Sequence, residues 1–142
     1  MQVKELMTES VVTVPPDSTA EYAARMMARH NIGSLPVCDS TGRLRGVVTD
    51  RDIVTRCIAA EADPMDTQVR EIMSRAVVTA SPEEDLRAAA GKMSGERIRR
   101  LPVVENGTLV GMLSLGDLAK NDRMQMEASR ALSEISSNLR RL

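Results

Sequence analysis

The chain contains two copies of a short motif in which a hydroxyl residue precedes an aspartate by three positions. The first copy has Thr49 and Asp52, and the second has Ser114 and Asp117. A hydroxyl at a strand-to-helix junction suits a phosphate, which helix N-termini favour. A carboxylate one turn further on can accept both hydroxyls of a ribose, as the acid of a dinucleotide-binding fold does. The spacing therefore predicts ribose and phosphate contacts at both junctions.

The same spacing also has a purely structural interpretation. A threonine or serine that begins a helix, with an acid three residues later, forms a capping box, here with aspartate in place of glutamate. A single pair would favour capping alone. Two pairs at equivalent points of a repeat favour a functional role, and both interpretations stay open.

Both junctions belong to an internal repeat. Residues 3–37 and 69–103 align at an offset of 66 with 14 of 35 positions identical, and the register then slips by one residue. A repeat of this length indicates two copies of one supersecondary unit. We therefore expect a first unit at 1–63, a second unit at 64–121, and a C-terminal amphipathic helical tail at 122–142.

Each copy predicts the same order of elements. In the first copy, the pattern indicates a strand at 11–14, a helix that begins with the capping box of Ser18 and Glu21, a hairpin at 35–38 and 44–48, and a helix from Thr49. In the second, it indicates a strand at 77–79, a helix that begins near Ser81, a hairpin at 101–105 and 109–113, and a helix from about 115. In the tail, one helical face is apolar and consists of Ala128, Ala131, Leu132, Ile135, Leu139 and Leu142. The tail is expected to cover its own domain, to fray, or to form a dimer contact.

Composition excludes several classes of function. The net charge is −1 and aromatic residues make up 1% of the chain, so neither the basic excess nor the stacking surfaces of a nucleic-acid binder are present. The sequence has no apolar run near the roughly 18 residues of a membrane span and no signal-peptide pattern at its start. With two cysteines, a disulfide scaffold is not expected, and we predict a cytoplasmic protein with no nucleic-acid or membrane partner.

The order of elements and the junction motif resemble those of a known family. The order of a short helix, a VVTV strand, a helix, an LPV strand, a hairpin and the Gly-h-h-[Ser/Thr]-x-x-Asp junction is similar to that of CBS domains, where h is an apolar residue. Two in tandem resemble a CBS pair, or Bateman module, and the length is similar to that of small stand-alone bacterial CBS proteins. The resemblance implies an α+β fold: two β-α-β-β-α units packed with pseudo-two-fold symmetry, small mostly antiparallel sheets flanked by helices, and here an added C-terminal helix.

The resemblance also implies a ligand and its contacts. CBS pairs often hold AMP, ADP, ATP, S-adenosylmethionine or NAD in clefts between the units, and they often dimerise. Carried over by position, Asp52 and Asp117 are the ribose-binding acids, and Thr49 and Ser114 are the hydroxyls beside them. The adenine pockets are implied to be Val12, Thr13, Ser34, Leu35 and Pro36 in the first copy, and Val78, Thr79, Arg100, Leu101 and Pro102 in the second.

Cationic residues near the junctions are candidate phosphate partners, because arginine offers two parallel donors. They are His30, Arg51, Arg97, Arg99 and Arg100. The second copy has more of them, so the clefts are expected to differ. No metal site is expected from a single histidine without a ligand cluster.

We therefore predict a regulatory, non-catalytic module that binds an adenosine-containing ligand, most simply AMP, ADP or ATP, and signals by a conformational change. The nucleotide is a regulatory ligand and not an obligatory cofactor. A homodimer and an unknown effector protein are the implied partners. The alternatives are a structural or dimerisation module without a ligand and a sensor of S-adenosylmethionine or NAD. An enzyme is not expected, since no triad, phosphate loop or metal cluster is evident.

Overall fold

Two antiparallel hairpins form the sheets. The computed structural model describes residues 1–140, without the side chains of 138–140. In the first hairpin, β1 (Ser34–Cys38) pairs with β2 (Leu44–Thr49). In the second, β3 (Arg100–Glu105) pairs with β4 (Thr108–Ser114). The Asn106-Gly107 turn of the second hairpin has positive φ at both residues, as a two-residue turn requires.

Helices surround these hairpins. They are α1 (Ala20–His30), α2 (Asp50–Asp52), which continues as a π-helix over Ile53–Ile58, α3 (Val69–Ile72), α4 (Leu86–Glu96), α5 (Leu115–Ala119) and α6 (Gln125–Arg140). Short 3₁₀ helices cover Val3–Glu5 and Asp122–Met124. The α+β class, the small antiparallel sheets and the C-terminal helix are as predicted.

Two predicted strands are wrong. Residues 11–14 and 77–79 form no strand; the only parallel pairing there is a single bridge at the end of the first segment, from Val14 to Val37, and one just after the second, from Ala80 to Val103. A proline follows each bridge closely. Toward the N-terminus, the next parallel bridge would need an N–H from Pro36 or Pro102, which proline lacks, so the pairing is limited to one residue in each unit.

Two predicted helix starts are also displaced. The N-cap of α1 is Thr19, whose Oγ1 accepts from the Tyr22 N–H at 3.1 Å, whereas the Ser18 hydroxyl donates to the Pro15 carbonyl. The N-cap of α4 is Asp85 and not Ser81. In both cases a proline-containing turn takes up the predicted capping residue, so that the helix begins later.

The chain forms two compact units whose membership differs from the sequence divisions at 1–63, 64–121 and 122–142. The first unit is Val12–Val77, and the second unit joins Met1–Val11 to Val78–Leu142. From here on, "first unit" and "second unit" mean these two compact units. The first eleven residues of the chain thus pack with the second repeat, and the opening segment of the second repeat packs with the first.

Hydrogen bonds show the exchange of opening segments. In the second unit, the Val3 N–H donates to the Glu84 carbonyl at 2.9 Å. In the first unit, the Val69 N–H donates to the Ser18 carbonyl at 2.8 Å. These donors and acceptors occupy equivalent positions of the repeat, so each unit repeats the same packing.

The glycine that opens each junction motif is explained by this packing. A Cβ placed on Gly46 would lie 2.5 Å from the Ser74 carbonyl oxygen, and one on Gly111 would lie 2.6 Å from the Met7 Sδ. The opening segment therefore crosses each hairpin closely at this glycine, against fixed backbone at Gly46 and against the flexible Met7 side chain at Gly111.

Each unit has its own hydrophobic core. The core of the first unit includes Val14, Leu35 and Val48, and the core of the second includes Leu86, Leu101 and Leu113. Helix α6 packs on α4 and α5 of the second unit. None of the helices in residues 1–140 is long and apolar enough to cross a bilayer.

Candidate functional site

Both predicted junctions form reciprocal capping boxes. In the first unit, the Asp52 N–H donates to Thr49 Oγ1 at 3.1 Å, and the Thr49 N–H donates to Asp52 Oδ2 at 2.9 Å. In the second, the Asp117 N–H donates to Ser114 Oγ at 3.0 Å, and the Ser114 N–H donates to Asp117 Oδ2 at 2.9 Å. The structural role of the motif is therefore real, and it uses one carboxylate oxygen of each aspartate.

The remaining oxygen differs between the units. Asp52 is buried, with 8% of its surface exposed, and its Oδ1 lies 3.8 Å from Arg56 Nε. Asp117 is only partly buried, and it has no ion pair within residues 1–140. The residue four positions after it is Asn121, where the first unit has Arg56. The Asp117 Oδ1 is thus the freer acceptor for a ligand hydroxyl.

Strand pairing brings the other predicted residues to the junctions. Ser34 is the cross-strand partner of Thr49, and Arg100 is the partner of Ser114. The bridges of Val14 and Ala80 place residues 12–13 and 78–79 beside the starts of β1 and β3. The members of each predicted set therefore lie in one unit, around the end of one hairpin.

Exposure divides the predicted pocket residues into two groups. Leu35 and Leu101 have no exposed surface, and the prolines that follow them are also buried, so their side chains belong to the cores. The partly exposed members are Val12, Thr13, Ser34, Val78 and Thr79, whereas Arg100 is exposed. Of this second group, Arg100 lines the cleft of the second unit, whereas Val78 and Thr79 do not.

The second unit has a cleft of about 620 Å³ beside its junction. The cleft is lined by Arg99, Arg100, Ser114, Leu115 and Gly116 on one side, and by Ala119 and the α6 residues Gln125, Ala128, Ser129 and Leu132 on the other. This volume lies within the range of small-molecule sites. Two exposed guanidinium groups at its edge suit an anionic ligand.

The C-terminal helix is the part of this cleft that the sequence did not predict. Ala128, Ala131 and Ile135 are buried against the second unit, as its amphipathic pattern suggested for a helix that covers its own domain. Leu132 was expected on the same apolar face, but it is 49% exposed and lines the cleft. Leu142, also expected on that face, lies outside the described residues, and so does the side chain of Leu139.

The candidate phosphate partners separate in the structure. Arg99 and Arg100 line the cleft. Arg97 ends α4 in a left-handed conformation, and its Nε lies 3.9 Å from Glu134 Oε2 of α6. His30 and Arg51 are exposed in the first unit, and their own side chains form no hydrogen bond or ion pair with other described residues. Arg99, which directly precedes β3, and Arg100, its first residue, are thus the best placed.

The cysteines and possible metal ligands add no second site. Burial and the adjacent Asp39 carboxylate raise the pKa of the Cys38 thiol, which keeps it protonated near neutral pH. Cys57 is buried, and its Sγ donates to the Ala62 carbonyl. No group of three or more histidine, cysteine or acidic residues that could hold a metal ion occurs in the described part of the chain.

Comparison with known families and relatives agrees with this architecture. The model of the family described as "CBS domain" matches twice, at residues 3–58 and 69–123. The chain belongs to the CBS domain family. The CBS domain-containing protein YhcV of Bacillus subtilis is 43% identical over 134 residues, with 94% of each chain covered. Hypoxic response protein 1 of Mycobacterium tuberculosis is 31% identical over 118 residues, with 83% of this chain and 82% of that protein covered.

Solved CBS pairs share the fold of the chain. The crystal structure of Hypoxic Response Protein I, with two coordinated zinc ions, has a TM-score of 0.79 at 30% identity and covers 85% of this chain and 98% of that one. The CBS domain pair of protein MJ0100, solved in complex with 5′-methylthioadenosine and S-adenosyl-L-methionine, has a TM-score of 0.74 at 30% identity and covers 84% and 94%. The chain is therefore a CBS pair, the type of module that serves regulation.

Proposed function

We propose that this CBS pair is a non-catalytic regulatory module that binds an adenine nucleotide at the cleft of the second unit. The observation that supports the proposal best is the position of Arg99 and Arg100 at the edge of that cleft, beside the Ser114–Asp117 junction. In this arrangement the arginines bind phosphate and the free oxygen of Asp117 accepts a ribose hydroxyl. AMP, ADP and ATP are the favoured ligands.

The adenosine part of the proposal has support from a relative of the same fold. The MJ0100 CBS pair was solved with two adenosine derivatives, neither of which carries a phosphate. Its example keeps S-adenosylmethionine as an alternative ligand for this chain. NAD is an alternative from the family resemblance alone. The paired arginines favour a phosphate-bearing ligand, because guanidinium groups bind phosphate through parallel hydrogen bonds.

Regulation requires that the ligand prefer one conformation of the protein over another. Helix α6 is well placed to respond, because its residues line the cleft. Two ion pairs hold it to α4: Arg87 to Glu127 at 3.5 Å and Arg97 to Glu134 at 3.9 Å. Surface pairs of this kind contribute about 0–1 kcal/mol each, so a bound ligand can rearrange them at low cost, whereas the buried Ala128, Ala131 and Ile135 keep the helix on the second unit. A homodimer and an effector protein remain predictions from the family resemblance.

A structural module without a ligand is the second candidate. The complete capping boxes favour it, because they give both aspartates a role in the absence of any ligand. Asp117→Asn separates the two candidates. The amide oxygen of asparagine still accepts from the Ser114 N–H, so the cap is kept while the charge at the free position is lost.

The experiment is isothermal titration of the wild-type protein and Asp117→Asn with ATP, AMP, NAD and S-adenosylmethionine. Under the proposal, the variant binds ATP at least about tenfold more weakly, as expected when a charged acceptor is removed, and its melting temperature is nearly unchanged. Asp17→Asn, at an exposed carboxylate of the first unit, is the matched control and should bind like wild type. Absence of binding to every ligand at millimolar concentration, or equal affinity in Asp117→Asn, would overturn the proposal.

A further inference from the structure

The two junctions share the same backbone hydrogen bonding. They differ in the side chains that line the cleft in the second unit. The Asp50 N–H donates to the Gly33 carbonyl at 2.9 Å, and the Leu115 N–H donates to the Arg99 carbonyl at 2.8 Å. The first residue of the short helix is therefore held against the start of the hairpin in the same way in both units. Position by position, the cleft-lining residues of one unit can be compared with those of the other.

The charged side chains at the edge of the site differ between the two units. In the second unit the lining residues are Arg99, Arg100, Ser114, Leu115 and Gly116, and their counterparts in the first unit are Gly33, Ser34, Thr49, Asp50 and Arg51. The second unit thus has two guanidinium groups and no carboxylate among these residues, whereas the first unit has one guanidinium group and one carboxylate. An anion that is attracted at one edge loses that attraction at the other.

The carboxylate of Asp50 lies close to Gly33, the counterpart of the cleft residue Arg99. Its Oδ2 is 3.0 Å from the place that a Cβ on Gly33 would occupy, and its Oδ1 accepts from the Arg51 N–H at 2.8 Å. In the second unit the neutral side chain of Leu115 occupies the equivalent position and lines the cleft. Asp50 therefore presents a negative charge over the start of β1.

The nearby cations do not offset this charge fully. Arg56 lies 3.8 Å from Asp52, and its Nη1 donates to the Ile72 carbonyl at 3.1 Å, so it is engaged within the unit. Arg51 supplies one exposed cation where the second unit supplies two. The first unit thus has a weaker electrostatic preference for phosphate than the second.

We infer that Asp50 is a specificity residue that excludes phosphate-bearing nucleotides from the first unit, so that the chain binds one nucleotide, in the second unit. This rests on the proposed nucleotide binding and adds which unit binds and why. Repulsion by a carboxylate depends on the ligand's charge, so a neutral adenosine derivative is not excluded in the same way.

The test is the stoichiometry and affinity of ATP in isothermal titration. Wild type binds one ATP per chain. Asp50→Leu gives the first unit the residue that the second unit has at this position, and Asp50→Asn removes the charge alone. Both variants should bind a second ATP, with first-unit affinity raised at least about tenfold over wild type. Asp66→Leu removes an exposed carboxylate elsewhere in the same unit and should keep a stoichiometry of one.

A reciprocal variant and a neutral ligand complete the design. Arg99→Gly combined with Arg100→Ser gives the second unit the lining of the first and should weaken ATP binding by at least about tenfold. Binding of 5′-methylthioadenosine, which has no phosphate, should change less than about threefold in Asp50→Asn. Two ATP molecules per wild-type chain, or an unchanged stoichiometry of one in both Asp50 variants, would overturn this inference alone. Absence of ATP binding to wild type and variants alike would overturn the proposed function as well.

Discussion

Asp117 shows how one side chain can serve both the fold and a ligand. One of its oxygens closes a capping box with Ser114, while the other has no ion pair in the described chain. Sequence spacing alone could not separate capping from binding, because both need a hydroxyl and an acid three positions apart. The structure shows that capping uses only Oδ2 of Asp117, so the proposed ligand contact through Oδ1 is compatible with the cap and can be tested separately.

The carboxylate of Asp39 stabilises the turn between β1 and β2. The Thr41 side chain donates to its Oδ1 at 2.6 Å, the Arg43 N–H donates at 3.1 Å, and Arg45 pairs with its Oδ2 at 2.7 Å. These contacts, with the Thr41 hydroxyl first, hold the pKa of Asp39 well below its ordinary value. Because the pKa is depressed in the folded state, Asp39 stabilises the fold above about pH 4, and this contribution is lost as the pH falls toward the folded pKa.

Removal of the Thr41 hydroxyl should reduce this pH dependence. We expect Thr41→Val to be slightly less stable than wild type at pH 7 and to lose less of its stability between about pH 5 and pH 3. Urea unfolding midpoints across that range measure the difference. Thr55→Val, at an exposed hydroxyl that donates to the Arg51 carbonyl, is the control and should follow wild type. Parallel pH profiles for Thr41→Val and wild type would refute this role.

At the scale of elements, the hairpins and the junctions could be predicted well from the sequence. The Asn106-Gly107 turn has a strong local signal, and the hydroxyl-to-aspartate spacing places the starts of α2 and α5. The segments at 11–14 and 77–79 were predicted as strands because β-branched residues favour strands, but Pro36 and Pro102 in the neighbouring strands cannot donate the hydrogen bonds that further pairing would need. Local propensity could not predict this effect of the neighbouring strand.

The close crossing at the junction glycines predicts a sharp difference between glycine positions. Gly46→Ala should destabilise the protein by about 1–3 kcal/mol, because the new Cβ would overlap the Ser74 carbonyl, which is fixed by hydrogen bonds to Val47. In contrast, Gly91→Ala in α4 should stabilise it by about 0.5–1 kcal/mol, because no atom lies within 4 Å of the new Cβ. Urea unfolding of both variants checks the signs. A neutral Gly46→Ala would contradict the packing of the opening segment.

Helix α6 gives a prediction of its own, since it forms one wall of the cleft. Ser129 is exposed and lines the cleft, so Ser129→Trp should fill the space without disturbing the core and weaken ATP binding by at least about tenfold. Ser133→Trp, one turn further along the same exposed side, is the matched control, because Ser133 does not line this cleft. Titration with ATP compares the two. Equal affinities would show that α6 is not a wall of the binding site.

At the scale of the whole molecule, the sequence repeat and the compact units are different divisions of one chain. The repeat predicted two equivalent copies, whereas each compact unit includes the opening segment of the other copy. Sequence comparison could not detect this exchange, because both copies exchange the same segment and the alignment is unchanged. The C-terminal helix has no counterpart in the first repeat, so its role at the cleft also had no signal beyond its amphipathic pattern.

The difference between the two copies of the repeat matters most for the proposed function. Both keep the hydroxyl and the aspartate, and both form the capping box. The second unit adds Arg99 and Arg100 and the wall formed by α6, whereas the first has Asp50 over Gly33. Two units with the same local fold thus differ in the charges at their junctions, which is the basis of the proposed single site for an anionic ligand.

A crystal structure of the wild-type protein grown with saturating ATP tests the central claim most directly. We predict nucleotide density in the cleft of the second unit, with phosphate oxygens about 3 Å from the guanidinium groups of Arg99 and Arg100 and a ribose hydroxyl at a similar distance from the Asp117 carboxylate. An empty cleft, or a nucleotide bound elsewhere without contact to Asp117, would contradict the account.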